Sequence, residues 1–222
     1  AESYIEQTGA MTWDDDPWPH YVEISFSNHC NLKCSYCCPG ASSRWYTEIQ
    51  KEGDYQTDNL QYDIQNLNIW NEDLNPYIDA FWQWLPLAYE HLHVLRFTGG
   101  EPLLSKNVYK VMDYINLHPN KKLEFNVNSN LSVPSKNVDK FIVGIRGMLD
   151  EGNIRKFTMF SSIDTWGKQA EWARHGLDVE LFKRNLETYL TKVPEGRAAL
   201  MVTFHLSSFT NFKQLLEYVL YL

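Results

Sequence analysis

Cysteine is absent from this chain except in one nine-residue window, Cys30 to Cys38, which holds all four. A disulfide framework scatters its cysteines so that each bridge closes a loop; clustered thiols point instead to metal or redox chemistry in a reducing compartment. Basic runs are missing too. Beyond Lys121 and Lys122 there is no lysine- or arginine-rich stretch, and the net charge is -8 with a pI of about 5.3. That leaves no electrostatic footprint for a polyanion, so a nucleic-acid partner is not expected. No apolar run approaches the roughly 18 to 20 residues that cross a bilayer. The opening AESYIEQTGAMTWDDDPW has neither the basic nor the apolar region of a secretory signal. The expectation is a soluble, cytoplasmic protein with no membrane partner. There is no internal repeat and no low-complexity tract beyond Asp14 to Asp16, a run that reads as solvated rather than as a cation site. An initiating Met is lacking and the chain stops at LLEYVLYL inside an apolar pattern, so it reads as part of a longer one.

What is present has the length and 44% hydrophobic content to bury one sizeable core. An irregular lead over residues 1–19 precedes a single domain over 20–222. Within that domain HYVEISFSN (20–28) alternates like a strand and runs into the cysteine loop. Ser42 or Ser43 caps a helix through RWYTEIQK, and a polar segment from Gly53 to about Asn71 reads as an inserted loop. A helical pattern follows through Tyr77, Phe81 and Leu85, in which Pro86 is expected to kink or end the helix. Four further strands, at 93–100, 122–130, 156–164 and 197–205, each precede a helical segment. Strand-helix units in succession call for parallel strands with crossover helices, hence an α/β barrel or an open α/β sheet. In both architectures ligands bind at the carboxyl ends of the strands.

At those ends stand the unusual residues. The cysteine loop CNLKCSYCCPG follows the first strand, FTGGEP ends the second, NSN the third and SSID the fourth. Convergence on one rim is stronger evidence of a site than any single motif. Cys30, Cys34 and Cys37 are spaced so that three thiolates can hold three irons of one cubane cluster, whereas iron-sulfur clusters normally use four cysteines. With Cys38 set aside, because its Cα-Cβ bond diverges from that of Cys37, one iron keeps an open position of the kind that admits a substrate or cofactor.

CNLKCSYC, with an aromatic before the third cysteine, followed one strand-helix unit later by FTGGEPLL, resembles the radical S-adenosylmethionine (radical SAM) superfamily. The resemblance covers His20 to Leu222 and implies a partial (β/α)6 TIM-like barrel of parallel strands, truncated here after the fifth β/α unit. It implies that Cys30, Cys34 and Cys37 ligate a 4Fe-4S cluster whose fourth iron is chelated by the amino and carboxylate groups of S-adenosylmethionine. Tyr36 would sit beside the adenine. Gly99, Gly100, Glu101 and Pro102 would form the turn that receives the methionyl ammonium, with glycine allowing close approach. Asn128 would contact the ribose or methionyl region. SSIDTWGKQAEWARHG is similar to the SID…R pattern of the peptide-modifying branch that often carries a SPASM or twitch domain, with Thr165 where a glycine is usual. By that likeness Ser162 would hydrogen-bond the cofactor and Arg174 would pair with its carboxylate. The implied activity is reductive cleavage of S-adenosylmethionine to methionine and a 5'-deoxyadenosyl radical, which abstracts a substrate hydrogen. A peptide or protein leads as substrate, and a flavodoxin or ferredoxin as electron donor.

Blander readings stand beside each assignment. The cysteines could form a structural zinc knuckle with His29 or Cys38, or an electron-transfer centre, which would make the chain a non-catalytic metal-binding module. Asn128 could be a turn former at a strand end, Asp164 either a substrate-side acid or base or a turn-capping residue, and Arg174 a surface charge. Trp166 and His205 fall on the expected rim without an assigned role, and no residue is assigned as catalytic.

Overall fold

The computed structural model describes residues 9, 11–12, 14, 18–55, 57–62, 73 and 75–222. Most of the lead over 1–19, including Asp15 and Asp16, and residues 63–71 of the polar segment lie outside the described residues.

Five parallel strands form the sheet: β1 (Tyr21–Ile24), β3 (Val94–Phe97), β4 (Asn120–Ser129), β5 (Ile154–Ser162) and β7 (Arg197–Met201). They pair in chain order, β1-β3-β4-β5-β7. Sequential order decides between the two architectures that the strand-helix alternation leaves open. A doubly wound sheet reverses its strand order, which puts helices on both faces. Here each crossover steps the same way, and right-handed connections then place every helix on one face, as in a segment of a barrel. The fold is α/β, a partial TIM-like barrel of parallel strands.

Strand alternation agrees. Leu95, Phe97, Phe125, Val127, Phe157 and Met159 point to the helical side and are buried, forming an aromatic row in which Phe125 stands 5.6 Å from Phe97 and 6.0 Å from Phe157. The alternate positions Arg96, Asn126, Asn128 and Thr158 face the other way and make the concave side polar.

Helices α1 (Ser43–Glu52), α2 (Tyr77–Ala88), α3 (Lys106–Leu117), α4 (Ser135–Asp150), α5 (Gly167–Ala173), α6 (Val179–Lys192) and α7 (Phe212–Tyr221) complete the described frame. Their starts follow from side-chain caps. Ser42 accepts from Arg44 N at 3.3 Å, Ser105 from Val108 N at 3.2 Å and Asp178 from Leu181 N at 2.9 Å. Several expectations need correction: the strands expected over 20–28 and 93–100 stop at Ile24 and Phe97, where the chain leaves the sheet for the site loops. Pro86 does not end α2, which runs on to Ala88 and then tightens into a 3-10 turn over Tyr89–His91. The strand expected over 197–205 stops at Met201, and His205 lies in the following turn rather than on a strand.

A feature not foreseen is a second, two-stranded antiparallel sheet. Lys33–Cys34 (β2) pairs with Arg174–His175 (β6), so that Cys34 is the register partner of Arg174. Ser35 N adds a bond to Ala173 O at 2.8 Å, which extends this clamp by one residue.

Candidate functional site

An open cavity of about 330 Å³ lies at the carboxyl edge of the sheet. Its walls come from the cysteine loop, the turn after β3, the ends of β4, β5 and β7, and β6. Of the residues singled out in the sequence, the structure brings together Cys30, Cys34, Cys37, Tyr36, Gly99, Gly100, Asn128, Ser162 and Arg174 in this lining. Thr98 of FTGGEP and Ser129 and Asn130 of NSN line it too, without a role assigned to them from the sequence, and so does Thr203, which no motif contains; its position just beyond a strand end is the signal that could have found it.

The cysteine loop is fixed from several sides. Asn28 Nδ2 donates to Pro39 O at 2.9 Å across its base, and Cys30 N donates to Ser43 Oγ at 3.2 Å. Trp45 Nε1 donates to Cys34 O at 2.9 Å, and Tyr62 OH reaches Cys37 O. All four cysteines are free thiols. Cys38 does not line the cavity; its Sγ stands beside Gly40 instead. Among the described residues no group of three or more His, Cys, Asp or Glu is arranged to hold a metal ion. Burial pushes the Cys30 thiol up to about 12 and Cys34 to about 11, and raises Cys37 as well. At Cys34 the Arg174 guanidinium opposes that rise by favouring the thiolate. Cys30, Cys34 and Cys37 add three soft sulfur donors to the lining of a cavity in the volume range of cofactor pockets, roughly 300 to 1,000 Å³. That chemistry suits iron, which thiolates bind through sulfur, and the space beyond them suits a small organic cofactor.

The GGEP turn has a different internal logic from the one its sequence suggests. Gly99 and Gly100 take φ of 72° and 50°. A Cβ on Gly99 would fall 1.7 Å from Ser25 Oγ, and one on Gly100 would fall 2.4 Å from His29 O. The glycines are thus required by the approach of this chain's own β1 and cysteine loop, while their backbone atoms border the cavity. Glu101 N donates to His29 O at 2.7 Å and closes the contact. Glu101 and Pro102 are buried behind the wall rather than in it. The Glu101 carboxylate accepts from Leu103 N at 3.0 Å, Ser129 Oγ at 2.8 Å and Asn130 N at 2.8 Å. It therefore ties the turn after β3 to the end of β4. Burial raises its pKa to about 7, against the pull of those three donors.

Strand β5 ends in Ser162, which lines the cavity, and Asp164 follows with its side chain wholly buried. Arg174 Nε and Nη2 donate to the two Asp164 oxygens, each at 2.9 Å. Tyr36 OH donates to Oδ2 at 2.6 Å and Thr203 N to Oδ1 at 2.9 Å. Asp164 is therefore a carboxylate saturated by four donors, neither a surface turn former nor open to a substrate. Arg174 is likewise no surface charge. Thr165 is buried and outside the left-handed region; the positive φ of this turn falls on Gly167, at 62°. Asn128 Oδ1 accepts from Arg96 Nε at 2.9 Å, which orients the amide at the cavity wall.

Trp166 and His205 do not line the cavity. Trp166 stacks on Tyr218 of α7 at 4.3 Å between ring centroids. His205 sets its ring against Tyr36 at 5.4 Å and its Nδ1 accepts from Ser207 N at 3.2 Å, while Nε2 is buried without a partner.

No family model matches the chain. Among curated proteins it is 26% identical over 111 residues to the GTP 3',8-cyclase of Helicobacter pylori (strain ATCC 700392 / 26695), across 50% of this chain and 27% of that protein. It is 25% identical over 91 residues to the GTP 3',8-cyclase of Corynebacterium glutamicum (strain R), across 41% of this chain and 18% of that protein. Both cyclases are radical SAM proteins. Over these stretches the chain is similar to radical SAM proteins. It spans about a quarter or less of the length of these radical SAM relatives. Two solved radical SAM structures also align with it. "Native anSMEcpe with bound AdoMet" matches at a TM-score of 0.47 and 16% identity, over 81% of this chain and 43% of that one. "Native anSMEcpe with bound AdoMet and Cp18Cys peptide" matches at 0.48 and 17%, over 82% and 42%. Among the described residues no helix is long and apolar enough to cross a membrane.

Proposed function

We propose that this chain is the cofactor-binding part of a radical SAM enzyme in which Cys30, Cys34 and Cys37 hold a 4Fe-4S cluster and S-adenosylmethionine occupies the cavity beside it. The observation that carries the reading is that those three cysteines line one cavity together with residues at the strand ends. When bound, the pair supplies a carbon-centred radical by one-electron cleavage of the sulfonium, and that radical removes a hydrogen atom from the substrate.

The residues of the chain have defined tasks in this reading. Three cysteines leave one iron open to the amino acid end of the cofactor, and Cys38, turned toward Gly40, takes no part. The backbone of Gly99 and Gly100 would offer acceptors to an ammonium, and Asn128 and Ser162, in the same lining, would offer polar contacts. Glu101 and Pro102 serve by holding the turn rather than by touching the ligand. Tyr36 flanks the cysteine wall with an aromatic face for a base. Helices covering the far side of the sheet keep water from that direction, so the cavity mouth is the face that a substrate closes.

Beyond this core, we read the SID…R likeness as favouring a peptide or protein substrate, served by a flavodoxin or ferredoxin and acting in the cytoplasm. The radical SAM domain is taken as residues 20–222 after a lead of 1–19, with any SPASM or twitch extension outside this chain.

The test is anaerobic reconstitution with iron and sulfide, followed by iron analysis and an assay for 5'-deoxyadenosine after dithionite reduction with S-adenosylmethionine. Cys34→Ala is expected to lose the cluster and the product, while Cys38→Ala keeps both. Equal loss in the two variants would overturn the three-ligand assignment, and a redox-silent protein that retains zinc would make the loop a structural knuckle.

A further inference from the structure

The buried Asp164 and Arg174 pair asks for an explanation that stability does not supply. Removing two opposite charges from water costs about as much as their attraction returns, and apolar replacements are often neutral or better. Yet the carboxylate of the pair is fully engaged. Asp164 spends both oxygens on four donors, two from Arg174 and one each from Tyr36 and Thr203. Arg174 spends Nε and Nη2 on Asp164, and its remaining nitrogen, Nη1, stands 3.9 Å from Cys34 Sγ. The Tyr36 ring covers the guanidinium at 5.5 Å, and the β2-β6 ladder makes Cys34 and Arg174 register partners. A delocalised cation that cannot be deprotonated is thus held, in a site of low dielectric, against the sulfur of one candidate cluster ligand.

We propose that Arg174 and Asp164 act together as positioning residues that set the reduction potential of the cluster: the guanidinium stabilises the reduced state through Cys34, and the carboxylate aims and partly offsets that charge. The proposal rests on the cluster reading above. The step concerned is one electron passing from a low-potential one-electron donor into the cluster, with no proton moved and no bond made or broken. The reduced cluster carries one more negative charge, so a fixed cation beside its ligand favours it and a fixed anion disfavours it.

Opposite charges in one contact give opposite signs, a result that general loosening of the site cannot imitate. The experiment is a potentiometric titration of the reconstituted protein without S-adenosylmethionine, followed by electron paramagnetic resonance, with iron and sulfide measured on every sample. Arg174→Gln is expected to lower the ratio of reduced to oxidised cluster at a fixed potential by about tenfold, which for one electron is about 59 mV. Asp164→Asn is expected to raise it. Should Asp164→Asn take up no cluster, Arg174→Lys carries the test, because it keeps the charge without the fork and should lie nearer to the unsubstituted protein than Arg174→Gln does. Potentials that move in the same direction in Arg174→Gln and Asp164→Asn, or that do not move at full iron content, would overturn the proposal, as would equal potentials in Arg174→Lys and Arg174→Gln. Failure of the unsubstituted protein to take up iron and sulfide would instead overturn the cluster reading on which it stands.

Discussion

Glu101 is a buried carboxyl group whose partners among the described residues are two backbone amides and one hydroxyl, none of them a cation. Its pKa rises from 4.5 to about 7 on burial. Below pH 4.5 the group is protonated in both folded and unfolded chains and costs nothing. Between the two values the unfolded chain ionises more readily than the folded one, so stability falls as pH rises through this window and levels off above it. A shift of this size corresponds to about 3 kcal/mol. Urea unfolding at pH 4.5 and pH 7.5 should show that loss in the unsubstituted protein and a much flatter dependence in Glu101→Gln. Gly100→Ala should be more severe, since it adds positive-φ strain of about 1 to 3 kcal/mol and forces a Cβ within 2.4 Å of His29 O. Its expected consequence is a displaced cysteine loop, read as lower iron uptake on reconstitution. At this scale the sequence pointed to residues most of which the structure gathers around one cavity, with Glu101 and Pro102 behind its wall. FTGGEP was visible as a site, but that Glu101 would turn inward toward Ser129, and that the glycines would answer to Ser25 and His29, depends on contacts between segments far apart in the chain.

Among the elements, strand and helix periodicity was legible wherever one face is apolar. Helices α3, α4 and α6 follow directly on Ser105, Pro134 and Asp178, residue types that mark helix starts. The misses have local causes. α2 tolerates Pro86 because only a short stretch follows it before the helix tightens. β7 stops early, since beyond Met201 the backbone turns toward Asp164, to which Thr203 N donates. The β2-β6 clamp was invisible because two-residue strands carry no period. Asn185, which no sequence motif marks, is buried in α6 and donates to Leu131 O at 2.8 Å and Val133 O at 2.9 Å. It also accepts from Ser135 Oγ at 2.9 Å, pinning the turn between β4 and α4. Asn185→Leu would leave two buried carbonyls unpaired and should cost about 2 to 4 kcal/mol in denaturant unfolding.

For the molecule as a whole, the sequential strand order is the result that matters, because it puts a polar concave face and a row of strand ends on the same side as the cysteine loop. Strand-helix alternation alone could not distinguish this from a doubly wound sheet; the likeness to the radical SAM family did. The apolar side carries the stability. Phe157, fully buried between Phe125, Phe141 and Tyr189, is its centre, and Phe157→Ala should cost about 3 to 5 kcal/mol, measurable as a lowered denaturation midpoint without loss of the parallel-sheet far-ultraviolet signature. The most direct test of the functional account is electron paramagnetic resonance on the reconstituted, dithionite-reduced protein, recorded before and after S-adenosylmethionine is added. A reduced 4Fe-4S signal whose shape changes with the cofactor is the expected result, since the open iron beside Cys30, Cys34 and Cys37 would gain ligands. A cluster signal indifferent to S-adenosylmethionine, or no cluster at all, would contradict the account.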